Sequence, residues 1–346
     1  MNPVMLARKN IARLEPYSCA RNEFQGKASV LLDANENPYN YPNNRYPDPL
    51  QCTLKKRVSQ INNLPEQQIF IGNGSDECID LTFRIFCEPG NDNAVAISPT
   101  YGMYKVCADI NNIDYLTCEL EENFNLNAEK LLAKINLRTK IILLCSPNNP
   151  TANLLNKKEI RKILDNFNNG LVAIDEAYID FTETNGWLPE LDNYPNLIIF
   201  RTFSKAWGLA AMRCGMTFAS KEIIALFNKV KYPYNVSSLT QNAVLEQLND
   251  SDKQKKQWVK QILNERNTLV SSLKPLKIIQ KIYHSDANFI LVKVVDANSI
   301  YSYLTEKGII VRNRSKIQLC DNCLRITVGT PEENHALINA LKSCPL

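Results

Sequence analysis

Five short, nearly unbroken apolar runs mark the first two-thirds of the chain, and each stops at a polar cluster. Residues 69–71 stop at GNGSDE, 93–97 at SPTYGMY, 140–145 at SPNNPT, 171–175 at EAY and 197–200 at RTFSK. A strand with one wet face alternates apolar and polar side chains. Continuous runs predict strands covered on both faces, which is the habit of a parallel sheet between helices. Helical spacing fits before the first run, over 50–61, and between the first two, at Ile79, Phe83 and Phe86. In open sheets of this kind ligands bind at the carboxyl ends of strands. The repeated polar endings therefore predict one composite site.

The texture changes after about Lys231. Residues 235–274 read as a long charged helix or helix pair. Segments 277–283, 288–295, 308–314 and 324–329 read as antiparallel strands, and 335–344 as a closing helix. At the other end, residues 1–30 read as a helix-like arm. The following stretch, VLLDANENPYNYPNNRYPDP, is dense in Asn, Pro and Tyr and predicts turns and extended chain. The expected fold class is α/β. A mostly parallel sheet sandwiched by helices forms a large domain over 31–235. A smaller α+β domain over 236–346 begins with an interdomain helix, and the arm packs on it.

Composition then removes several function classes. The 346 residues carry 40 Lys+Arg against 36 Asp+Glu, a net charge of +4 too weak and dispersed to indicate nucleic acid. No run of about 18 apolar residues indicates a membrane span. The N-terminus carries charges throughout, unlike a secretory signal, so a cytoplasmic location is expected. Eleven cysteines, an odd and scattered set, read as reduced thiols rather than a disulfide framework. The one close pair, Cys320-x-x-Cys323, lacks a second pair, and only His284 and His335 could add imidazole, so no metal is expected. A general base other than histidine is implied.

The strand endings carry the chemistry. Lys205 follows a buried run, where low dielectric and nearby cations free its amine to react with an aldehyde such as pyridoxal phosphate. Ser204 and Arg213 supply a hydroxyl and a guanidinium for a phosphate. Asp175 ends an apolar strand and needs a cationic partner, which a protonated pyridine nitrogen would provide. Tyr178 and Asn149 can both hydrogen-bond a ring oxygen. Ser75 and Asp76 open a helix whose N–H groups suit phosphate. Tyr101 offers a face for stacking on a planar ring.

The order GSDE, PTY, SPNNPT, DEAY, SK and an arginine eight residues on resembles the fold-type I pyridoxal-phosphate aminotransferases over nearly the whole chain. More narrowly, LDANENP (32–38), RYPDP (45–49), AIDEAYIDF (173–181), RTFSKAWGLAAMRCG (201–215) and LRITVG (324–329) resemble the histidinol-phosphate aminotransferase family. The resemblance implies pyridoxal 5'-phosphate as cofactor and transamination between L-histidinol phosphate and 2-oxoglutarate in histidine biosynthesis. It makes Lys205 the Schiff-base lysine and proton carrier and Asp175 the partner of the ring nitrogen. Asn149 and Tyr178 hold the ring oxygen, Tyr101 stacks, and Ser75, Asp76, Ser204 and Arg213 hold the cofactor phosphate. Tyr46 reaches the site of the other subunit of an obligate homodimer. Tyr17, Arg312 and Arg325 line the substrate pocket. The alternatives on this scaffold are an aromatic amino-acid aminotransferase and a phosphothreonine decarboxylase. One departure stands out: the family usually reads NPTG, and here Ala152 follows Thr151. If that turn needs a positive φ, the Cβ costs about 1 kcal/mol.

Overall fold

The computed structural model describes residues 3–18, 29–250 and 252–345. All five apolar runs form strands of one seven-stranded sheet, in the order β1-β7-β6-β5-β4-β2-β3. These are β1 (Ile69–Gly72), β2 (Asn93–Ser98), β3 (Asp114–Glu119), β4 (Thr139–Cys145), β5 (Leu171–Asp175), β6 (Leu197–Thr202) and β7 (Gly215–Ala219). The β3-β2-β4-β5-β6 pairs are parallel. β7 runs antiparallel between β6 and β1. The sheet is thus mostly parallel with one reversed strand near its edge.

Successive side chains on these strands enter two different cores. Val95, Ile97, Ile142, Leu144, Val172, Ile174 and Ile199 face one side. Ala94, Ala96, Ile141, Leu143, Ala173, Ile198 and Phe200 face the other. Both sets are buried, which is why the sequence shows runs rather than alternation. The Gly74–Phe86 helix packs in the second core through Ile79, Phe83 and Phe86. Its first turn carries Asp76 and Glu77 and its last Arg84, charges that suit the helix dipole.

The C-terminal segments form a four-stranded antiparallel sheet, β10-β11-β9-β8. Its strands are β8 (Ile279–Ile282), β9 (Phe289–Val294), β10 (Arg312–Asn313) and β11 (Cys323–Thr327). β10 is only two residues long, much less than the 308–314 run suggested. The closing helix begins at Pro331, four residues earlier than expected. There Thr330 and Glu333 form a capping box, with proline in the first turn.

The structure decides between two sequence readings in one segment and changes the seating of another. The 235–274 stretch is a helix pair, Ser238–Asp250 and Asp252–Leu273. Val244 and Leu248 of the first join the core of the large sheet, and Leu269 and Leu273 of the second join the core of the small one. The change of core therefore falls after 250, within the segment read as the interdomain helix. The arm seats differently from the expectation. The described segment Pro3–Arg13 lies on the large unit, not the small one. Ile11 enters the second core, with Leu6 packed against it. The Arg8 N–H donates to the Ile85 carbonyl at 2.9 Å, and Lys229 Nζ donates to the Ala12 carbonyl at 2.9 Å. Apolar positions at 6 and 11 show that the arm is buried by something, and the helices flanking β1 supply the surface.

Candidate active site

The carboxyl ends of β2, β4, β5 and β6 meet the start of the Gly74–Phe86 helix around one cavity of about 530 Å³, which the C-terminal unit closes with three arginines. Register explains the convergence. Cys145 at the end of β4 pairs with Asp175 at the end of β5, which pairs with Phe200 on β6. The SPNNP loop, Asp175 and the Ser204–Lys205 turn therefore emerge side by side.

Asp175 is 4% exposed. Its Oδ2 accepts from the Tyr104 hydroxyl at 2.7 Å and its Oδ1 from the Ala177 N–H at 3.0 Å. No cation pairs with it at bonding distance among the described residues. Burial pushes its carboxyl up to about 6, against the pull of those two donors. Lys205 lines the same cavity, its Nζ 5.6 Å from the Tyr178 ring. Its amine meets cavity solvent but is walled by protein. Desolvation, and then the charge of Arg325, lower its pKa from the ordinary lysine value. A lysine held this way gives up its proton more readily than a surface lysine.

Asn149 is buried beside them. Its Oδ1 accepts from Arg325 Nη1 at 2.6 Å, which leaves its Nδ2 without a partner among the described residues and able to donate. Tyr178 is nearly buried, braced edge-on against Phe289 with ring centroids 5.0 Å apart. Tyr101 lines the cavity from the β2 end, its hydroxyl donating to Asp76 Oδ1 at 3.1 Å. Arg213 forms an ion pair with Asp76 at 3.5 Å, over the first turn of the Gly74–Phe86 helix. A Cβ on Gly74, whose φ is +77°, would meet the Arg213 guanidinium at 2.8 Å, and one on Gly215 would collide with the Ser75 backbone. Glycine at both positions lets strand, helix start and guanidinium close into a cradle. Ser204 completes it, with its N–H and hydroxyl bonded to Thr202 Oγ1 at 3.1 and 3.0 Å.

Eleven of the residues singled out in the sequence thus line one cavity. Two do not. Tyr17 is 74% exposed and lies outside the lining. Tyr46 also lies outside it and stacks on Tyr234, centroids 4.4 Å apart. The Ala152 turn does need a positive φ, at +69°, and its methyl is fully buried against Tyr178 and Phe289. Cys320 and Cys323 are both buried, and burial pushes their thiols up to about 12 and about 11. Sequence reasoning missed Tyr104, the buried donor to Asp175, and Arg314, a third arginine at the C-terminal end of the cavity. The spacing of PTYGMY, one helical turn from Tyr101 to Tyr104, was the available signal for the first.

The residues fit the cofactor that the resemblance implies. A planar pyridine has an aromatic face in Tyr101, a buried carboxylate lacking a cation in Asp175, and an unpartnered amide donor in Asn149. A phosphate has the helix start and Arg213, and an aldehyde carbon has the Lys205 amine.

Residues 12–341 match the family described as aminotransferase class I and II. The histidinol-phosphate aminotransferase of Bacteroides thetaiotaomicron is 57% identical over 97% of this chain and 97% of its own length. The solved structure of the Clostridium acetobutylicum histidinol-phosphate aminotransferase superposes with a TM-score of 0.79, 25% identity, and coverage of 86% of this chain and 90% of that one. The Sinorhizobium meliloti enzyme, solved in complex with pyridoxal-5'-phosphate, shares the fold with a TM-score of 0.79 at 24% identity, over 87% of this chain and 82% of that one. The chain belongs to the class I and II aminotransferases, in their histidinol-phosphate aminotransferase branch.

Proposed function

We infer that this chain exchanges the amino group of L-histidinol phosphate with 2-oxoglutarate, giving imidazole-acetol phosphate and L-glutamate in L-histidine biosynthesis. The observation that carries the reading is one cavity with a depressed lysine and a buried carboxylate at one end and three arginines at the other. Pyridoxal 5'-phosphate, when bound, supplies the electron sink that no side chain provides. Asp175 would pair with its ring nitrogen, Asn149 and Tyr178 would donate to its ring oxygen, and Tyr101 would cover its face. The helix-start N–H groups of Ser75 and Asp76, with Ser204 and Arg213, would hold its phosphate. Lys205 is the catalytic base, and its amine takes and returns the substrate α-proton. Arg312 and Arg325 bind the substrate's anionic group. Guanidinium forks suit both a phosphate and a carboxylate, so one cavity serves both half-reactions, with ping-pong kinetics.

The working unit is a homodimer. Residues 30–46 and 232–239 expose Val30, Leu32, Tyr39, Tyr41, Tyr46, Tyr232 and Leu239, an apolar surface suited to a second copy, and Tyr46 reaches that copy's cofactor phosphate. Tyr17 completes the substrate pocket when the arm folds over it. A reducing cytoplasm suits ten described cysteines that all stand as free thiols.

The test is a half-reaction. Protein loaded with pyridoxal phosphate is given L-histidinol phosphate alone, and the cofactor absorbance is followed. Conversion faster than with L-phenylalanine at equal concentration supports the reading. Conversion with phenylalanine alone moves the substrate to aromatic amino acids, and carbon dioxide release from phosphothreonine moves the reaction to decarboxylation.

A further inference from the structure

We propose that Arg314 is a specificity-determining residue. Its guanidinium completes, with Arg312 and Arg325, a three-pronged seat that favours a phosphate monoester over a carboxylate. The inference rests on the aminotransferase reading above and deepens it at the substrate end.

Placement is the first ground. Arg312 lies directly across from Arg325 in the β10–β11 register, and the Arg314 N–H donates to the Cys323 carbonyl at 2.8 Å, two positions further along the same pairing. Alternate residues of an extended chain share a face. Arg312, Arg314 and Arg325 all line the one cavity.

The second ground is what these guanidinium groups lack. Among the described residues no carboxylate pairs with any of the three. The Nε atoms of Arg314 and Arg325 are shut away from solvent with no hydrogen-bond partner. A buried donor left unanswered is unfavourable, and native structures rarely keep one without a ligand or water to meet it. The lining holds five cations, Lys205, Arg213, Arg312, Arg314 and Arg325, against two carboxylates, Asp76 and Asp175, of which Asp76 is already paired with Arg213. Positive charge is thus in excess at the C-terminal end. Desolvation, then the neighbouring Arg325 and Arg312 charges, lower the Arg314 pKa to about 10, as crowding without an anion should.

The third ground is stoichiometry. A carboxylate carries one charge and two oxygens, and one or two guanidinium forks satisfy it. A phosphate monoester carries about −1.5 to −2 at neutral pH and three terminal oxygens. Arg325 already gives one nitrogen to Asn149. Glutamate carries two carboxylates, but they sit on separate carbons and each offers one charge and two oxygens, so three guanidinium groups gathered at one end of the cavity match the single dense phosphate better than either carboxylate.

The experiment uses the loaded enzyme with Arg314→Gln and Arg314→Lys. Half-reaction kcat/KM is measured with L-histidinol phosphate and with L-glutamate, and inorganic phosphate is titrated as a competitive inhibitor. For Arg314→Gln the ratio of the two kcat/KM values should shift about tenfold against histidinol phosphate, mainly through KM, as the loss of one charge-assisted contact predicts. The phosphate inhibition constant should rise by a similar factor, and lysine should recover part of both. An unchanged ratio in Arg314→Gln and Arg314→Lys, with unchanged phosphate inhibition, overturns the role of Arg314. Equal losses on both substrates with an unchanged inhibition constant overturn it too, because a merely structural arginine behaves that way. A wild-type enzyme that converts glutamate but not histidinol phosphate overturns the substrate reading instead, while phosphate inhibition still reports on Arg314.

Discussion

Replacing Asp175 by Asn should stabilise the cofactor-free protein at neutral pH while destroying its activity. The carboxylate is buried, without a cation at bonding distance, and its pKa is raised from 3.8 to about 6. In the unfolded chain it ionises near its ordinary value. Between those two values the folded state holds a proton that the unfolded state has lost, so stability falls as pH rises. Asp175 contributes its full stability below about pH 4 and loses it as pH climbs through about 6. A shift of about two units corresponds to roughly 3 kcal/mol at neutral pH. Asparagine escapes that loss but answers Tyr104 and the Ala177 N–H less well, at about 1 kcal/mol. The net expectation is a gain of about 2 kcal/mol, or about 3 °C in Tm for a chain of this length. Urea unfolding of the cofactor-free wild type and Asp175→Asn, followed by tryptophan fluorescence, should show the gain at pH 7.5 and its disappearance by pH 4. Adding pyridoxal phosphate should narrow or reverse the order, because the ring nitrogen answers the carboxylate only in the wild type. A variant no more stable at pH 7.5, or one whose advantage persists undiminished at pH 4, would refute the reasoning.

Lys205→Ala should abolish amino transfer in both directions while the protein still folds and takes up cofactor; measurable turnover would remove the basis of the mechanism. Arg325→Ala should weaken the histidinol phosphate and glutamate half-reactions alike, since Arg325 both faces the substrate and holds Asn149; loss in only one half-reaction would show that the anions do not share it. Tyr104→Phe keeps the buried ring and deletes the donor to Asp175. Losing a bond of about 1.5–3 kcal/mol to a charged acceptor should raise the acid limb of the half-reaction's pH profile by about one unit or more, and an unmoved limb would show that Tyr104 serves packing alone.

The parallel sheet was legible because its chemistry is local. A strand buried on both faces must be apolar at every position, and five segments obeyed that rule. β3 escaped notice because it is an edge strand, DYLTCE, with most positions open to solvent. β7 is fully buried, but its five residues follow closely on the Lys205 turn, and its reversed insertion between β6 and β1 depends on pairings that no local pattern encodes. The arm failed for a related reason, since apolar residues at 6 and 11 do not name the surface that buries them. In the site, Lys205 and Asp175 stood out because charged groups at the ends of apolar strands are anomalous. Arg314 did not, because beside Arg312 and Lys316 it resembles an ordinary solvated charge. Only the register that sets Arg312 opposite Arg325 turns it into the wall of a cavity.

The same distinction divides the site physically. Apart from Tyr46, the groups assigned to the cofactor stand on the ends of strands of the large sheet or on the helix that follows β1, held by the two large cores, so their positions are set by packing that substrate does not change. Of the arginines assigned to substrate, Arg325 stands on β11 of the small sheet, Arg312 on β10, which contributes only two residues to that sheet, and Arg314 just past it. A fixed half suits a ligand that stays. The edge held by fewer backbone bonds, at Arg312 and Arg314, suits a ligand end that must admit a phosphate in one half-reaction and a carboxylate in the next, while Arg325 on β11 stays fixed by its pairing on both sides.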